Sequence, residues 1–526
     1  MNKTEAAIFA TDFCSVSFIV CIRLLDGAEG YLLLLWGQTH MYGSLPVSLG
    51  NLTSLKVLSV VGSLQEVAFS GPLPPARLQS LLGLWIMDTS FEGSLDKLVN
   101  LTQLKYLVLR RPGLWLSRIP PTLGPNLTSL VLSDVGLSGP LSDGFGLTWP
   151  YLVGLDLSYN TLSGPLPAAL GNATGQVPGG LGECRDLVIF NASQNQLSGP
   201  LSAALGNAMN LAEIDLCCQT DGGFQGSLPA EWGSLTKLGI LLFRRNNLIG
   251  AIPEQWGNLS SLQWLDLQIN RLSRTLHAVG TLRNLKGLYL SNNQLTGQVP
   301  DRLGECRDLV MFHAPQNQLS GPLSAALGNA TDIQAIDLCC QGGTNGGFQG
   351  SLPAEWGSLT KLEFLSLREN NLTGAVPEQW GNLSSLQWLD LGANRLSGTL
   401  NAFTGQVPDG LGECRNLVIF TAAKNQLSRP LPAALGNAMN LAQIDLCCQG
   451  GTNGGFQGSL PAEWGSLRKL EFLNLRQSNL TGTIPEQWGN LSSLQLLDLR
   501  ANRLSGTLNA VSWLRNLKEL DFSNNT

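Results

Sequence analysis

The sequence predicts an α/β-type solenoid: about 20 short stacked coils with a parallel β-sheet along one face and a return path that is mostly irregular or 3-10 helical. Three observations predict it. Leucine-rich segments recur roughly every 24 residues along the chain of 526 residues. Within each segment, apolar residues alternate with other residues as they do in a strand. An Asn and then a Gly-x-(Ile/Leu/Val)-Pro sequence follow most of these strands. Because one such coil cannot bury its apolar face alone, we expect the coils to stack into a continuous core.

The strand comes first in each coil. Segments such as YLVGLDLSYNTLSGPLP (151–167) and KLEFLSLRENNLTGAVP (361–377) share the pattern L-x-x-L-x-L-x-x-N-x-L-x-G-x-(I/L/V)-P. In the x-L-x-L-x part, two leucines point inward and three residues point outward, and the neighbouring strand is the same segment one repeat away. About twenty such coils predict an elongated solenoid with its parallel sheet on the concave face.

The turn and the return path complete the coil. The Asn after the strand has a side-chain amide that can satisfy backbone groups of adjacent coils, as at Asn160, Asn270, Asn370 and Asn394. Glycine and proline then shape a return path that we expect to be mostly irregular or 3-10 helical. Six tryptophans replace a return-path leucine and are predicted to be core: Trp232, Trp256, Trp356, Trp380, Trp464 and Trp488.

A longer period lies above the coil. The segment TGQVP begins at Thr174, Thr296 and Thr404. It marks the start of three near-identical blocks, 174–295, 296–403 and 404–526. Two spacings between successive coils are long, from Leu152 to Leu187 and from Leu386 to Leu417. We expect a loop or a local break in the stack at both.

Composition limits the classes of binding partner and the ways in which the chain could be attached to a membrane. Charged residues make up 13% of the chain, the net charge is −6, and there is no run of Lys or Arg, so nucleic acid and anionic membranes are not expected partners. Residues 1–30 contain an apolar stretch compatible with a weak signal peptide or anchor, although Asp12 interrupts it. Membrane attachment is expected only through these residues or through a part of the protein beyond this sequence. Residues 31–526 are expected to form the solenoid.

The full pattern resembles the plant-type leucine-rich repeat of the ectodomains of plant receptor-like kinases and receptor-like proteins, and of polygalacturonase inhibitors. The likeness covers about 31–526. It implies a non-catalytic solenoid that recognises ligands on its concave face. The family's N-terminal and C-terminal caps, transmembrane helix and kinase motifs are not found in this sequence, so we expect a fragment or an incomplete gene model.

Paired cysteines occupy three equivalent coils, directly after the second strand leucine, and Gln replaces the turn Asn there: Cys217–Cys218, Cys339–Cys340 and Cys447–Cys448. The pairs are too far apart to bond or to share a metal, and a bond within one pair closes a strained ring. We expect them to be inert parts of the repeat and expect no metal site or cofactor. Three further cysteines, Cys184, Cys306 and Cys414, are predicted on the return path.

Sequons and thiols bear on the compartment in opposite directions. Eleven Asn residues begin N-x-(S/T): Asn51, Asn100, Asn126, Asn172, Asn191, Asn258, Asn329, Asn371, Asn382, Asn479 and Asn490. Glycosylation there would place the chain outside the cell, but the repeat consensus itself creates such sequons. Unpaired thiols favour a reducing compartment. We expect an extracellular or cell-surface protein, with a cytoplasmic one as the alternative.

The near-copies indicate which face binds. Between 325–403 and 433–511, 14 of 79 positions differ, and five of these differences fall on the twelve positions predicted to face outward on the concave sheet. A scaffold that stays constant while one surface varies is typical of a binding surface. On that face, Phe364, Trp388 and Ile419 are predicted to form an apolar patch on consecutive strands. Lateral packing along the sheet is the competing interpretation.

Four more residues complete the predicted binding face. Arg368 and Asp390 are expected to form a polar edge beside the patch, and Ile240 with Trp264 a related apolar pair. The expected ligand is a protein, peptide or glycan. An intracellular scaffold for protein assembly is the alternative function. Catalysis has little support, because the three histidines do not have the spacing of a catalytic triad or of metal ligands. A column of aspartates in L-D-L segments could bind a cation, but Asp at this position is also common in the repeat consensus.

Overall fold

Short strands and single turns of 3-10 helix alternate along the chain, as the coil pattern predicts. The computed structural model describes residues 18–23, 29–36, 43–62, 69–73, 77–113, 116, 118–119, 123–142, 149–167, 186–342, 346–398, 410–428, 430–450 and 455–525. The chain divides into two compact units, Met1–Phe224 and Gln225–Thr526.

The first unit contains a main sheet of strands that follow one another in the chain. Its described strands are β1 (Phe18–Arg23), β2 (Glu29–Trp36), β3 (Gly43–Ser44), β4 (Leu55–Val61), β5 (Phe69–Pro72), β6 (Gly83–Met87), β7 (Ser90–Glu92), β8 (Tyr106–Arg110), β9 (Ser129–Ser133), β10 (Ser138–Pro140), β11 (Gly154–Asp156), β12 (Thr161–Gly164), β13 (Ile189–Asn191), β14 (Gln196–Leu197), β15 (Gly199–Pro200) and β16 (Glu213–Asp215). The main sheet runs in parallel through β2, β4, β6, β8, β9, β11, β13 and β16. Strand β1 pairs with β2 in the antiparallel direction.

The second unit repeats the same arrangement. After β17 (Phe224–Ser227), its described strands are β18 (Ile240–Leu242), β19 (Asn247–Gly250), β20 (Trp264–Asp266), β21 (Arg271–Arg274), β22 (Gly287–Tyr289), β23 (Gln294–Gly297), β24 (Met311–His313), β25 (Gln318–Leu319), β26 (Ala335–Asp337), β27 (Gln349–Ser351), β28 (Phe364–Ser366), β29 (Asn371–Gly374), β30 (Trp388–Asp390), β31 (Arg395–Gly398), β32 (Ile419–Thr421), β33 (Gln426–Leu427), β34 (Gln443–Asp445), β35 (Gln457–Ser459), β36 (Phe472–Asn474), β37 (Asn479–Gly482), β38 (Leu496–Asp498), β39 (Arg503–Leu504) and β40 (Glu519–Asp521). The even-numbered strands from β18 to β40 form its parallel main sheet.

The return path contains short 3-10 helices, which confirms the expectation of a return path that is mostly irregular or 3-10 helical. In the first unit they are Val47–Asn51, Leu95–Leu98 and Ala203–Asn207. In the second unit they are Ala230–Ser234, Glu254–Asn258, His277–Thr281, Asp301–Glu305, Ala325–Asn329, Ala354–Ser358, Glu378–Asn382, Gly410–Glu413, Ala433–Asn437, Ala462–Ser466, Glu486–Asn490 and Asn509–Trp513.

The core lies between the main sheet and these helices. The inward leucines of a strand, such as Leu365 and Leu367, are completely buried. The predicted core role of the tryptophans is confirmed, because all six are buried and they stack in pairs across neighbouring coils. In one pair, the ring centroids of Trp356 and Trp380 are 6.2 Å apart, and Nε1 of Trp380 donates to the carbonyl of Pro353 at 2.9 Å.

The turn Asn joins adjacent coils, as predicted. At Asn270, Nδ2 donates to the carbonyl of Phe243 in the preceding coil and to those of Leu267 and Gln268 in its own. Its Oδ1 accepts the backbone N–H of Leu248. This network bridges backbone groups that end a strand and that would otherwise be buried without partners.

Among the described residues, nineteen non-Gly residues have a positive φ, and all but one stand at the same place after a main strand, with φ between 45° and 64°. Fourteen of them precede the turn Asn or Gln, and the other four, Asp88, Arg111, Asp134 and Gln477, precede another residue type. The exception, Arg274, lies at the end of β21. Most of these residues are neither Gly nor Asn, and Ile269 is β-branched. Because this conformation costs an L-residue roughly 1–2 kcal/mol, the stacked coils and the amide network must impose it.

Two findings go beyond the sequence prediction. The odd-numbered strands of the second unit pair in parallel with one another, for example β19 with β21, so short second sheets run beside the main sheet. Stacking aligns the extended residues after each turn Asn as it aligns the main strands. A loop or a local break was expected at the two long spacings, and the main sheet shows no break there, since β11 pairs with β13 and β30 pairs with β32 in register. The inserted residues 168–185 and 399–409 lie outside the described residues.

Candidate ligand-binding face

The predicted apolar patch lies on the open face of the main sheet, the face turned away from the core. Phe364, Trp388 and Ile419 occupy the same position on the neighbouring strands β28, β30 and β32, and the register pairs each with the next. The rings of Phe364 and Trp388 are stacked with centroids 5.6 Å apart. Phe364 and Ile419 are half-buried, whereas Trp388 is 38% exposed. We call these three residues the apolar patch.

The patch arises from repeat position rather than from local sequence. The residue just before the first inward strand residue faces the open side in each coil, because side chains alternate across a strand. Downstream, the same column continues through Gln443, Phe472 and Leu496. Leu496 stands in block 404–526 where Trp388 stands in block 296–403, and block 174–295 has Trp264 at this position, where it is half-buried.

Arg368 and Asp390 lie on the two strand segments that carry the patch, as predicted. Arg368 forms an exposed ion pair with the adjacent Glu369, with Nε to Oε1 at 3.1 Å. The Asp390 carboxylate accepts the N–H of Gly392 at 2.9 Å. Burial raises the pKa of Asp390, while the Gly392 N–H and the positive charge of Arg368 act in the opposite direction. A polar edge of both charge signs therefore borders the patch.

A second aromatic cluster lies nearer the beginning of the same unit. Ile240 pairs with Trp264 on neighbouring strands, as predicted. The indole of Trp264 then extends over Gly287, where an added Cβ would lie 2.3 Å from a ring carbon, and stacks on Tyr289 with ring centroids 6.4 Å apart. His313 follows at 5.6 Å from Tyr289. The sequence prediction missed this extension. A signal for it is present in the sequence: a glycine at the outward strand position of the coil that follows the tryptophan.

The aspartate column has a structural role. In all seven coils singled out by the L-D-L wording, Oδ1 accepts the backbone N–H two residues later: Asp156, Asp215, Asp266, Asp337, Asp390, Asp445 and Asp498. This bond caps the end of the strand. In the part of the chain that the structure describes, no group of three or more His, Cys, Asp or Glu side chains is placed to hold a metal ion.

The paired cysteines are not all without a bonding partner. Cys447 and Cys448 are joined by a disulfide, so the expectation of inert thiols is wrong for this pair. The other two described pairs are free thiols. In each of these coils the replacing Gln makes the bonds of the turn Asn: Nε2 of Gln341 donates to the carbonyls of Ala314, Leu338 and Cys339, and Oε1 accepts the N–H of Leu319.

The return-path cysteines are part of the core. Cys306 and Cys414 are buried beside the 3-10 helices, and the thiol of Cys306 donates to the carbonyl of Leu282 at 2.7 Å. Burial raises the pKa of Cys306 to about 11 and that of Cys414 to about 12. Cys184 lies outside the described residues.

The sequon asparagines divide by exposure. Exposed side chains on or beside the return path are Asn51, Asn100, Asn126, Asn258, Asn329, Asn382 and Asn490, whereas Asn191, Asn371 and Asn479 are half-buried in strands. Asn191 belongs to a main-sheet strand, and its Oδ1 accepts from Ser193. Asn172 lies outside the described residues. An oligosaccharide on the exposed set would leave the apolar patch uncovered, since the patch is on the main sheet.

A shallow groove of about 460 Å³ lies at the edge where the strands of the patch begin. Gln387 and Val418, which immediately precede Trp388 and Ile419, line it together with Lys469 and Glu471. Among the described residues, no helix is long and apolar enough to cross a membrane.

Comparisons with known proteins agree with this geometry. The family model described as "Leucine rich repeat" matches residues 349–396, and the model described as "Leucine Rich Repeat" matches 151–173, 284–306 and 469–491. No curated protein matches the chain in sequence.

Solved structures of plant receptors are similar over nearly the whole chain. The plant peptide hormone receptor RGFR1 in complex with RGF2 is 26% identical, covers 97% of this chain and 83% of its own, and superposes with a TM-score of 0.78. The Arabidopsis receptor kinase HAESA, in complex with the peptide hormone IDA and the co-receptor SERK1, is 25% identical, covers 96% and 84% of the two chains, and has a TM-score of 0.74.

A third match is the leucine-rich repeat ectodomain of the Arabidopsis thaliana membrane receptor kinase GASSHO1/SCHENGEN3, which is 27% identical, covers 98% of this chain and 69% of its own, and has a TM-score of 0.56. These matches confirm the resemblance that the repeat pattern indicated. The chain has the leucine-rich repeat solenoid fold and is similar to the ligand-binding ectodomains of plant receptors.

Proposed function

We propose that the chain is a non-catalytic recognition module outside the cell, and that the apolar patch is the main contact for a peptide segment of its partner. The observation that carries this proposal is the column of Phe364, Trp388 and Ile419, which a partner can cover together because the register places them on adjacent strands. The similarity to receptors in complex with peptide hormones supports a peptide rather than a small molecule.

The physical argument is one of exposed apolar area. Trp388 is 38% exposed, although an indole is among the side chains that gain most from burial. Arg368, Asp390 and the groove beside Val418 provide charged and polar groups around the patch, which fix a ligand's orientation more than its affinity. An extended peptide that places apolar side chains on the patch and polar groups at this edge fits both features.

The test is binding of a library of short synthetic peptides to the purified chain. For any peptide that binds, Trp388→Ala is expected to weaken binding about thirtyfold, which corresponds to roughly 2 kcal/mol for a buried anchor. Thermal stability should stay within about 1 kcal/mol of the parent, as is usual for a surface residue. Trp388→Leu copies the residue of the neighbouring block and serves as a variant that the fold accepts.

The matched control is Trp513→Ala. Trp513 is also an exposed tryptophan of the same unit, at 67%, but it ends the return-path helix Asn509–Trp513. Its replacement should leave peptide binding unchanged. Equal loss of binding in both variants, or none in Trp388→Ala, would remove the patch from the binding face.

Two alternatives have their own outcomes. A glycan ligand can also stack on an exposed indole, and an oligosaccharide panel would reveal it through binding that Trp388→Ala abolishes. An intracellular scaffold would carry no N-linked glycans. Treatment of the protein from a secreting plant cell with an N-glycosidase should lower its mass if it is extracellular, and Asn382→Gln should lower the mass before treatment.

A further inference from the structure

The three cysteine pairs occupy one structural position. The first cysteine follows the second inward residue of a main strand, and the second cysteine has a left-handed backbone, with φ of 64°, 60° and 62° at Cys218, Cys340 and Cys448. In a continuing strand, consecutive side chains would point to opposite faces. The left-handed residue ends the strand, so the second side chain is not sent inward and both cysteines stay on the open face.

The two sulfur atoms of each pair are consequently close. Cys447 and Cys448 are joined by a disulfide. The backbone is nearly the same in the other pairs, since φ of Cys218 and Cys340 lies within 2° of that of Cys448, and the neighbouring cysteine is one cause that raises the pKa of Cys217 and of Cys339. All four of these free cysteines are half-buried rather than enclosed. The same left-handed backbone occurs in coils without a cysteine pair, for example at Ile269 and Glu369, so it does not depend on the bond.

We propose that all three pairs are equivalent redox sites, and that Cys217–Cys218 and Cys339–Cys340 form the same internal disulfide as Cys447–Cys448. The oxidant is a small-molecule disulfide such as oxidised glutathione. One cysteine, as the thiolate, attacks a sulfur of that disulfide and releases one glutathione thiolate while forming a mixed disulfide. The neighbouring thiolate attacks the mixed disulfide at the protein sulfur and releases the second glutathione. Two protein thiols are oxidised and one external disulfide is reduced to two thiols.

Two of the pairs lie on the coils that flank the apolar patch, four residues beyond Ala335 and Gln443, which are in register with it. Strand β26 leads to Cys339–Cys340 and strand β34 leads to Cys447–Cys448, and the three strands of the patch lie between them. A disulfide replaces two thiol groups by a compact ring without a hydrogen-bond donor. Oxidation therefore changes both edges of the same surface without altering the leucine core.

Exchange in the folded protein is expected to be slow. Burial raises the pKa of Cys217 and Cys339 far above the usual range, and the neighbouring carboxylates Asp215 and Asp337 act in the same direction. Oxidation should be slower than for an exposed cysteine, because the protein thiolate is the attacking species. Reduction should also be slower, because a protein thiol with a raised pKa is a poorer leaving group when an external thiolate attacks the disulfide.

The experiment is peptide mapping of the unmodified chain after equilibration with mixtures of oxidised and reduced glutathione. Trypsin releases each pair in a peptide that contains no other cysteine, namely 186–237, 308–361 and 425–468. An internal disulfide makes the peptide lighter by two hydrogen atoms and prevents alkylation in denaturant. Peptides carrying Cys306 and Cys414 each contain one cysteine and report free thiols under the same conditions.

We expect alkylation of all three paired peptides to be about tenfold lower than that of Cys306 and Cys414 under oxidising conditions, and to recover fully with a dithiol reductant. In Cys340→Ser, Cys339 has no neighbour with which to displace glutathione and should carry a stable mixed disulfide instead. Full alkylation of the 186–237 and 308–361 peptides, or absence of glutathione on Cys339 in that variant, would overturn the proposal.

Discussion

Replacement of Asn394 by Leu tests whether the turn asparagines hold neighbouring coils together. Asn394 is 7% exposed. Its Nδ2 donates to the carbonyls of Leu367, Leu391 and Gly392, and its Oδ1 accepts the N–H of Leu372 in the preceding coil. A leucine side chain has nearly the same shape as that of asparagine, and the substitution removes all four hydrogen bonds.

The cost can be worked out group by group. The three carbonyls each keep another donor: Asn370 bonds to Leu367, Asn425 bonds to Leu391, and the N–H of Glu369 bonds to Gly392. The N–H of Leu372, by contrast, is left buried without its acceptor. An orphaned buried donor costs about 1–3 kcal/mol, so with the lost bonds we expect Asn394→Leu to destabilise the coil by about 3 kcal/mol.

Hydrogen exchange is the appropriate assay, because a repeat array need not unfold in one step. Amides of residues 362–396 should exchange faster in Asn394→Leu, and the urea midpoint should fall. The matched control is Asn416→Leu, which removes one exposed bond from Nδ2 to the carbonyl of Ser384 and should change stability by about 0.5 kcal/mol or less. If these amides exchange as slowly in Asn394→Leu as in the parent protein, the turn asparagines do not stabilise the stack of coils.

Three further outcomes are expected from the second unit. Ile269→Asn should raise stability by about 1 kcal/mol in urea unfolding, because Ile269 has φ of 54° and Asn tolerates that region, whereas the same change at exposed Ile249, which has no positive φ, should give no gain. Trp380→Phe should lower stability by about 2 kcal/mol through loss of its bond to Pro353, and an unchanged urea midpoint would contradict this. Burial lowers the pKa of His313 and Asp337 offsets only part of the effect, so below about pH 6.5 the unfolded chain binds a proton that the folded chain resists. Stability should therefore decline as pH falls through that range, and His313→Phe should remove this part of the decline in melting curves.

The repeating sequence by itself determined the coil. Its period placed the strands, the inward leucines and the six buried tryptophans, because each depends only on which face of a coil a residue occupies. It also predicted the amide network at the turn, since Asn is the residue type able to bridge several backbone groups there. The column of Phe364, Trp388 and Ile419 followed from the same positional rule.

Relations between coils were decided by the tertiary structure. The long spacing before Leu417 predicted either a loop or a local break, and only the structure excludes a break in the main sheet: β32 stacks in register on β30, because the pairing of buried strands constrains the sheet more strongly than the length of the connecting segment does. The placement of Trp264 over Gly287 and the contact within each cysteine pair likewise depend on how one coil rests on the next. A left-handed residue after many of the main strands sets the direction of the side chain there. Stacking imposes this backbone, together with the turn amide where one is present, because the residue itself differs between coils and is, for example, Cys, Ile, Glu, Ala or Lys.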